Sequence, residues 1–157
     1  MLQRILHAPE IAQGYDYVFF DCPPRMSTAC INALTCADYV LIPTTLSQLD
    51  IEAVPRTLNG LVELHAVVRA DFLGAVITRA RLRAGKLVSY ERKQLDTLNQ
   101  FIRQHQPGDG FIFSSIIPDS PTIHRMTAEQ KTAAAHDDEM RAIFEAVAQE
   151  LERKASA

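Results

Sequence analysis

Four short runs of consecutive apolar residues punctuate the chain: YVFFD at 17–21, YVLIP at 39–43, FLGAVIT at 72–78 and FIFSSIIP at 111–118. Prolines close three of them, at 23–24, 43 and 118. Their continuous rather than alternating apolar character predicts strands covered on both faces of a parallel sheet. Between them, apolar residues recur every three or four positions, the spacing of a helix face. Ser27 to Cys36 is one such stretch, with Ile31 and Leu34 facing inward. A second starts near Asp50 and lines up Ile51, Val54, Leu58, Leu61, Val62 and His65, although Pro55 is expected to delay its regular part. Residues 89–105 align Leu95, Leu98 and Ile102, and 137–153 align Met140, Ile143, Phe144, Val147 and Leu151. Leu2, Ile5 and Leu6 repeat the theme weakly at the start. Helix and strand therefore alternate throughout, which defines an α/β fold with a parallel sheet, flanking helices and right-handed crossovers. With no repeat and no linker-like stretch, residues 1–157 read as a single domain.

Composition narrows the class. The 157 residues are 47% hydrophobic, 22% charged and 7% aromatic, which excludes collagen, low-complexity disorder and a coiled coil. No apolar run is long enough to span a bilayer, and MLQRILHAPEIAQG does not read as a secretory signal. Cys22, Cys30 and Cys36 lack metal-type spacing and read as reduced core thiols of a cytoplasmic protein. Histidines 7, 65, 105, 124 and 136 are scattered without ligand spacing, and His65 is expected in the core.

The net charge of −3 hides a pattern. Residues 79–105 carry seven basic and two acidic groups, in a chain that is otherwise −8. Such an island points to a local anionic partner. Arg79, Arg81, Arg83 and Lys86 cluster without interleaved aromatics, which suits contact with a phosphate backbone rather than base stacking. Arg79, Arg81 and Arg83 alternate, as on one face of an extended segment. A solvated surface loop is the competing reading.

The strongest local motif is Y-D-Y-V-F-F-D-C-P-P at 15–24. An apolar strand ending in Asp21 puts a carboxylate at the sheet's C-terminal edge, where open α/β folds bind ligands. In a nucleotide-hydrolysing fold that carboxylate can hold Mg²⁺ through a coordinated water. Taken alone, the run is equally a strand closed by a turn-forming aspartate.

With A-C-I-N-A-L at 29–34, A-D-Y-V-L-I-P at 37–43, L-G-A-V-I-T-R at 73–79 and I-I-P-D-S at 116–120, the ordered set resembles the ParA/MinD class of deviant-Walker ATPases. The resemblance implies a P-loop NTPase fold of ParA type, ATP and Mg²⁺ as cofactors, dimerisation, non-specific DNA as a partner and a ParB-like partner protein. It implies a role in plasmid or chromosome partitioning, and some runs are similar to the branch found in conjugative or T-DNA transfer. Residue by residue, Asp21 becomes the catalytic, water-mediated Mg²⁺ carboxylate, while Thr78, Arg79, Pro118, Asp119 and Ser120 become the nucleotide-base loops. Thr78-Arg79 departs from the asparagine usual there. The family's glycine-rich phosphate loop does not occur in these 157 residues. Catalysis by this chain alone is therefore expected to be negligible, and a degenerate, non-enzymatic DNA- or partner-binding module is the alternative. The family's first, central strand is missing with that loop, so exposed strand edges are expected.

Overall fold

The fold comes from a computed structural model that describes residues 2–6, 8–23, 26–106 and 111–156. Two compact units emerge, residues 1–40 with 60–71 and residues 41–59 with 72–157.

In the first unit, two short helices, α1 (Leu2–Leu6) and α2 (Pro9–Ala12), precede a stretch without regular secondary structure. The strand expected at 17–21 is not formed: the run carries no regular secondary structure and joins no ladder among the described residues, because no neighbouring strand pairs with it. Helix α3 (Thr28–Leu34) follows, its Ser27 cap accepting from the Cys30 N–H at 3.3 Å. That bond satisfies a donor which the first helical turn leaves free. Cys30, Leu34 and Val68 form this unit's core, with Val40, Leu61, Leu64 and Ala70 packed against it. Cys30 is thus buried as expected, whereas Cys22 is exposed, because it sits in the unpaired stretch; all three thiols are free.

The second unit holds most of the core. Strands β1 (Tyr39–Thr44) and β2 (Asp71–Ile77) are neighbours in one sheet, and the Asp71 and Thr78 N–H groups donate to the Asp38 and Thr44 carbonyls. Both partners advance together along the chain, which is the parallel pairing expected. The expected fourth strand is reduced to two parallel bridges, Ala75 with Ile112 and Ala80 with Pro118. Ser114 and Ser115 interrupt it, because their N–H groups turn to Glu150 instead of a neighbouring strand.

Helix α4 (Gln48–Glu63) runs straight through Pro55, contrary to the delayed start expected. Its N-terminus compensates: Ser47 accepts from the Asp50 N–H, and the Thr45 and Ser47 hydroxyls both donate to the Asp50 carboxylate. Such a reciprocal arrangement secures the first turn upstream of the proline. Ile51, Val54 and Leu58 are buried as the periodicity predicts, but Val62 in the last turn is exposed, and so is His65, which lies beyond the helix end at Glu63. The His65 Nδ1 lies 2.8 Å from the Val62 carbonyl oxygen, so His65 is no core histidine.

A two-stranded hairpin, β3 (Leu82–Arg83) and β4 (Lys86–Leu87), turns through Ala84 and Gly85, both at positive φ (51° and 71°). Two left-handed residues in a row are the signature of the tight turn that matches strand twist. Helix α5 (Ser89–His105) buries Leu98 and Ile102. Two helices that the strand-and-helix alternation does not predict follow the 111–118 run: α6 (Pro121–Ala128) and α7 (Ala133–His136). Together with α8 (Asp138–Ala155) they enclose Met126, Ala133 and Met140.

Candidate functional site: a cleft at the ends of the strands

Two loops converge in the second unit. The Thr78 N–H and hydroxyl both donate to the Thr44 carbonyl, at 2.8 and 3.3 Å, which fixes the exit of β2 beside that of β1. Arg79 then adopts φ 53°, and the chain re-enters register at Ala80, whose N–H donates to the Ile117 carbonyl while the Asp119 N–H donates to the Ala80 carbonyl. Residues 78–80 and 117–119 are therefore stitched side by side. Beyond them, the Ser120 hydroxyl accepts from the Thr122 N–H and caps α6.

These loops border a cleft of about 530 Å³ lined by Arg79, Arg81, Asp119, Tyr90, Glu91 and the Thr45–Asp50 turn. Of the five residues expected to hold a base, Arg79 and Asp119 line it. Thr78 and Ser120 make the bonds just described, and Pro118 lies between the Ile117 and Asp119 bonds to Ala80. The Asp119 carboxylate lies 3.0 Å from the His124 Nε2.

Glu91 is the residue that sequence reasoning missed. It is 4% exposed, and its two oxygens accept from the Arg81 N–H and Nε, each at 2.8 Å. Hydrogen bonding and charge from Glu91 raise the Arg81 guanidinium's pKa further. No pattern marked it, because a lone Glu in a basic helix reads as surface. The clamp also corrects the expectation of one extended basic face: Arg79 is left-handed, Arg81 is turned onto Glu91, and Arg83 sits on the hairpin directly opposite Lys86. Arg92 reaches back so that its Nη2 lies 3.5 Å from the Leu87 carbonyl. The hairpin and the start of α5 thus share one basic surface.

Asp21 belongs to the first unit, where it is exposed beside Cys22 in a stretch without regular secondary structure. The Cys22 thiol is pushed up by desolvation, then by Cys30 and by the Asp21 carboxylate. Among the described residues, no three His, Cys, Asp or Glu side chains gather as a metal site. Asp21 supplies one carboxylate, which holds Mg²⁺ only in company with phosphate oxygens. These residues by themselves do not fit a resident metal. No described helix is long and apolar enough to cross a membrane.

Several known proteins are similar to this chain. The AAA domain family AAA_31 matches residues 1–72. The sporulation initiation inhibitor protein Soj of Bacillus subtilis is 36% identical over 97 residues, covering 59% of this chain and 38% of Soj. Chromosome partitioning protein ParA of Caulobacter vibrioides is 25% identical over 138 residues, covering 87% of this chain and 48% of ParA. The structure of Cyanothece McdA in complex with ATP superposes with a TM-score of 0.76 at 20% identity, over 96% of this chain and 56% of McdA. The fold is thus that of the ParA-type P-loop NTPases, with a parallel sheet and flanking helices. These matches make the chain similar to ATPases of the ParA/MinD type. It spans about half the length, or less, of the curated relatives it matches.

Proposed function

We propose that this chain supplies the base-binding side of a ParA-type nucleotide site, together with a basic surface for DNA. The observation that carries this reading is the stitching of residues 78–80 to 117–119 beside the cleft. Backbone bonds preset those loops, so the ring of a nucleoside meets a formed wall rather than one it must organise. Arg79 is exposed and holds no ion pair among the described residues, which leaves a cation for a ligand's anionic groups. Tyr90 offers an apolar ring beside it. Asp21 is the carboxylate that would hold Mg²⁺ through water once phosphates are present, and bound ATP would supply the phosphoryl group for hydrolysis. Phosphoryl transfer depends on positioning the phosphates, and no phosphate loop occurs in these residues.

In this reading the protein acts in plasmid or chromosome partitioning or in DNA transfer. It dimerises with ATP, contacts DNA non-specifically through Arg81, Arg83 and Lys86, and answers to a ParB-like partner. The second reading is a non-enzymatic DNA- or partner-binding module. Calorimetric titration with ADP and adenosine, alongside a phosphate-release assay, tests the first. Weak binding of both ligands that is lost in Asp119→Ala, with no hydrolysis above background, is the expected result. Saturable Mg²⁺-dependent hydrolysis abolished by Asp21→Ala refutes the base-side reading, and absence of any nucleoside binding leaves the second one standing.

A further inference from the structure

We propose that Tyr90 is the stacking platform of the cleft, and that the cleft selects purine nucleosides by ring area, adenine and guanine alike. The inference rests on the base-side reading above and adds the class of base to it. The cleft has two walls of different construction. One is the pair of stitched loops, and the other is the first turn of α5, which contributes Tyr90 and Glu91. Arg81 joins them. Its N–H and Nε donate to the buried Glu91 carboxylate, each at 2.8 Å, and its carbonyl accepts from the Val88 N–H at 3.2 Å. The hairpin is thus tied off at its root, which sets the spacing between the loops and α5. A buried carboxylate is costly to leave without partners, and that keeps the clamp closed. Tyr90 is held as well: the Gln94 Nε2, one turn further on, donates to its hydroxyl at 2.7 Å. The residue stays 51% exposed where it lines the cleft. A ring held in this way offers a flat apolar face at little further entropic cost.

The state of the loop wall decides the class of base. Four of its donors are spent inside the fold. The Thr78 N–H and hydroxyl go to the Thr44 carbonyl, the Ala80 N–H to the Ile117 carbonyl and the Asp119 N–H to the Ala80 carbonyl. Adenine and guanine differ along the base edge, where one carries an amino group and the other a carbonyl oxygen. Telling them apart takes a hydrogen-bonding group fixed against that edge, and a site without one discriminates poorly. Arg79 keeps its guanidinium, but on a long, exposed side chain that suits a phosphate better than a fixed edge contact. The Asp119 carboxylate only accepts, which suits the ribose hydroxyls that every nucleoside carries. Stacking remains, and it tolerates either purine because every base has a π face. A cleft of about 530 Å³ is of the size that takes small ligands, and a bicyclic purine covers more of the Tyr90 ring than a pyrimidine does.

Calorimetric titration of the 157-residue protein with adenosine, guanosine and uridine tests it, together with tyrosine emission. The dissociation constants of adenosine and guanosine should agree within about threefold, and uridine should bind more weakly, as stacking without edge contacts requires. Tyr90→Ala should weaken adenosine binding roughly five- to hundredfold, and Tyr90→Phe should retain most of it. Tyr90 is half exposed, so far-ultraviolet circular dichroism of both variants should match that of the parent protein. The chain has no tryptophan, and its other tyrosines, Tyr15, Tyr17 and Tyr39, belong to the first unit. Adenosine should therefore quench tyrosine emission in the parent protein and leave it unchanged in Tyr90→Ala. Adenosine binding that survives Tyr90→Ala but not Asp119→Ala overturns the platform and leaves the base-side reading standing. Discrimination between adenosine and guanosine by more than about tenfold overturns the shared purine class, since it demands an edge contact. Absence of binding by any nucleoside overturns the base-side reading itself, and this inference with it.

Discussion

Residues 17–21 and 72–78 are the two most strand-like runs of the chain, and they have opposite fates. FLGAVIT becomes β2 and its continuation, with Ala75 and Ile77 completely buried, while YVFFD forms no strand and leaves Phe19 mostly in solvent. Local preference cannot separate them; both are apolar, β-rich and followed by a turn. What differs is neighbours. Strand β2 has β1 on one side and the bridges to 111–118 on the other. Its Gly74 admits the Phe111 carbonyl oxygen so closely that an added Cβ would lie 2.5 Å from it. Strand character is a preference for a covered, pleated surface, and it is realised only where other polypeptide supplies the cover.

The sharpest way to break this comparison is to truncate one buried and one exposed side chain from the two runs. Ile77→Ala should destabilise the protein by about 2–5 kcal/mol, through lost apolar burial and the cavity left behind. Phe19→Ala should change stability by less than about 0.5 kcal/mol. Urea unfolding measures both. Equal losses would mean that the 17–21 run is buried in solution and that neighbour supply is not the difference.

The same contrast explains how far the sequence could be read. The parallel α/β class, the strands at 39–44 and 71–77, and helices 89–105 and 138–155 were all legible, because each carries its own periodicity. At 17–21 and 111–118 the apolar pattern was equally plain, but pairing depends on distant partners. In the second case Glu150 took the N–H groups that a ladder needs. Residues 78–79 and 118–120 were legible as a pair only through the family resemblance. Glu91 was invisible, since its burial is created by the hairpin folding over it. Likewise, the turn at Ala84–Gly85 lacks the asparagine or aspartate that would have announced a hairpin.

A second test concerns the substitute for a strand ladder at 111–118. Burial alone would raise the Glu150 carboxyl. Bonds from the Ser114 N–H (2.9 Å), the Ser114 hydroxyl (2.8 Å) and the Ser115 N–H (3.0 Å) outweigh that and hold it below the usual glutamate range. The unfolded chain therefore takes up this proton at higher pH than the folded protein does. The stability Glu150 contributes is complete above the ordinary carboxylate range and is lost as pH falls through the lowered folded value. Glu150→Gln should cost about 1–3 kcal/mol near neutrality, the penalty of leaving buried donors poorly matched. It should also flatten the acid limb of the stability curve. Thermal unfolding between pH 3 and pH 7 reads both, and an unchanged acid limb would detach the 111–118 run from Glu150.

The smallest expected effect on stability carries the largest functional meaning. Arg83 and Lys86 stand directly opposite each other on a hairpin of two residues per strand, and a like-charged pair in that position opposes folding by a fraction of a kcal/mol. Arg81 differs: its Nε is held by Glu91, so part of its charge is already matched. Replacing both Arg83 and Lys86 by Ala should leave stability within about 0.5 kcal/mol, or raise it slightly as the repulsion disappears. If the hairpin contacts DNA phosphates, the wild-type slope of log affinity against log salt should be about −2 to −4, at roughly 0.9 per phosphate neutralised. The double variant should flatten that slope by about two units. Arg81→Ala should flatten it less, because its partner Glu91 competes with phosphate. Salt titrations of duplex binding for the three proteins decide the matter. A surface whose charges cost stability and yield binding is a site, whereas identical slopes would reduce the hairpin to a solvated turn with an unfavourable charge pair.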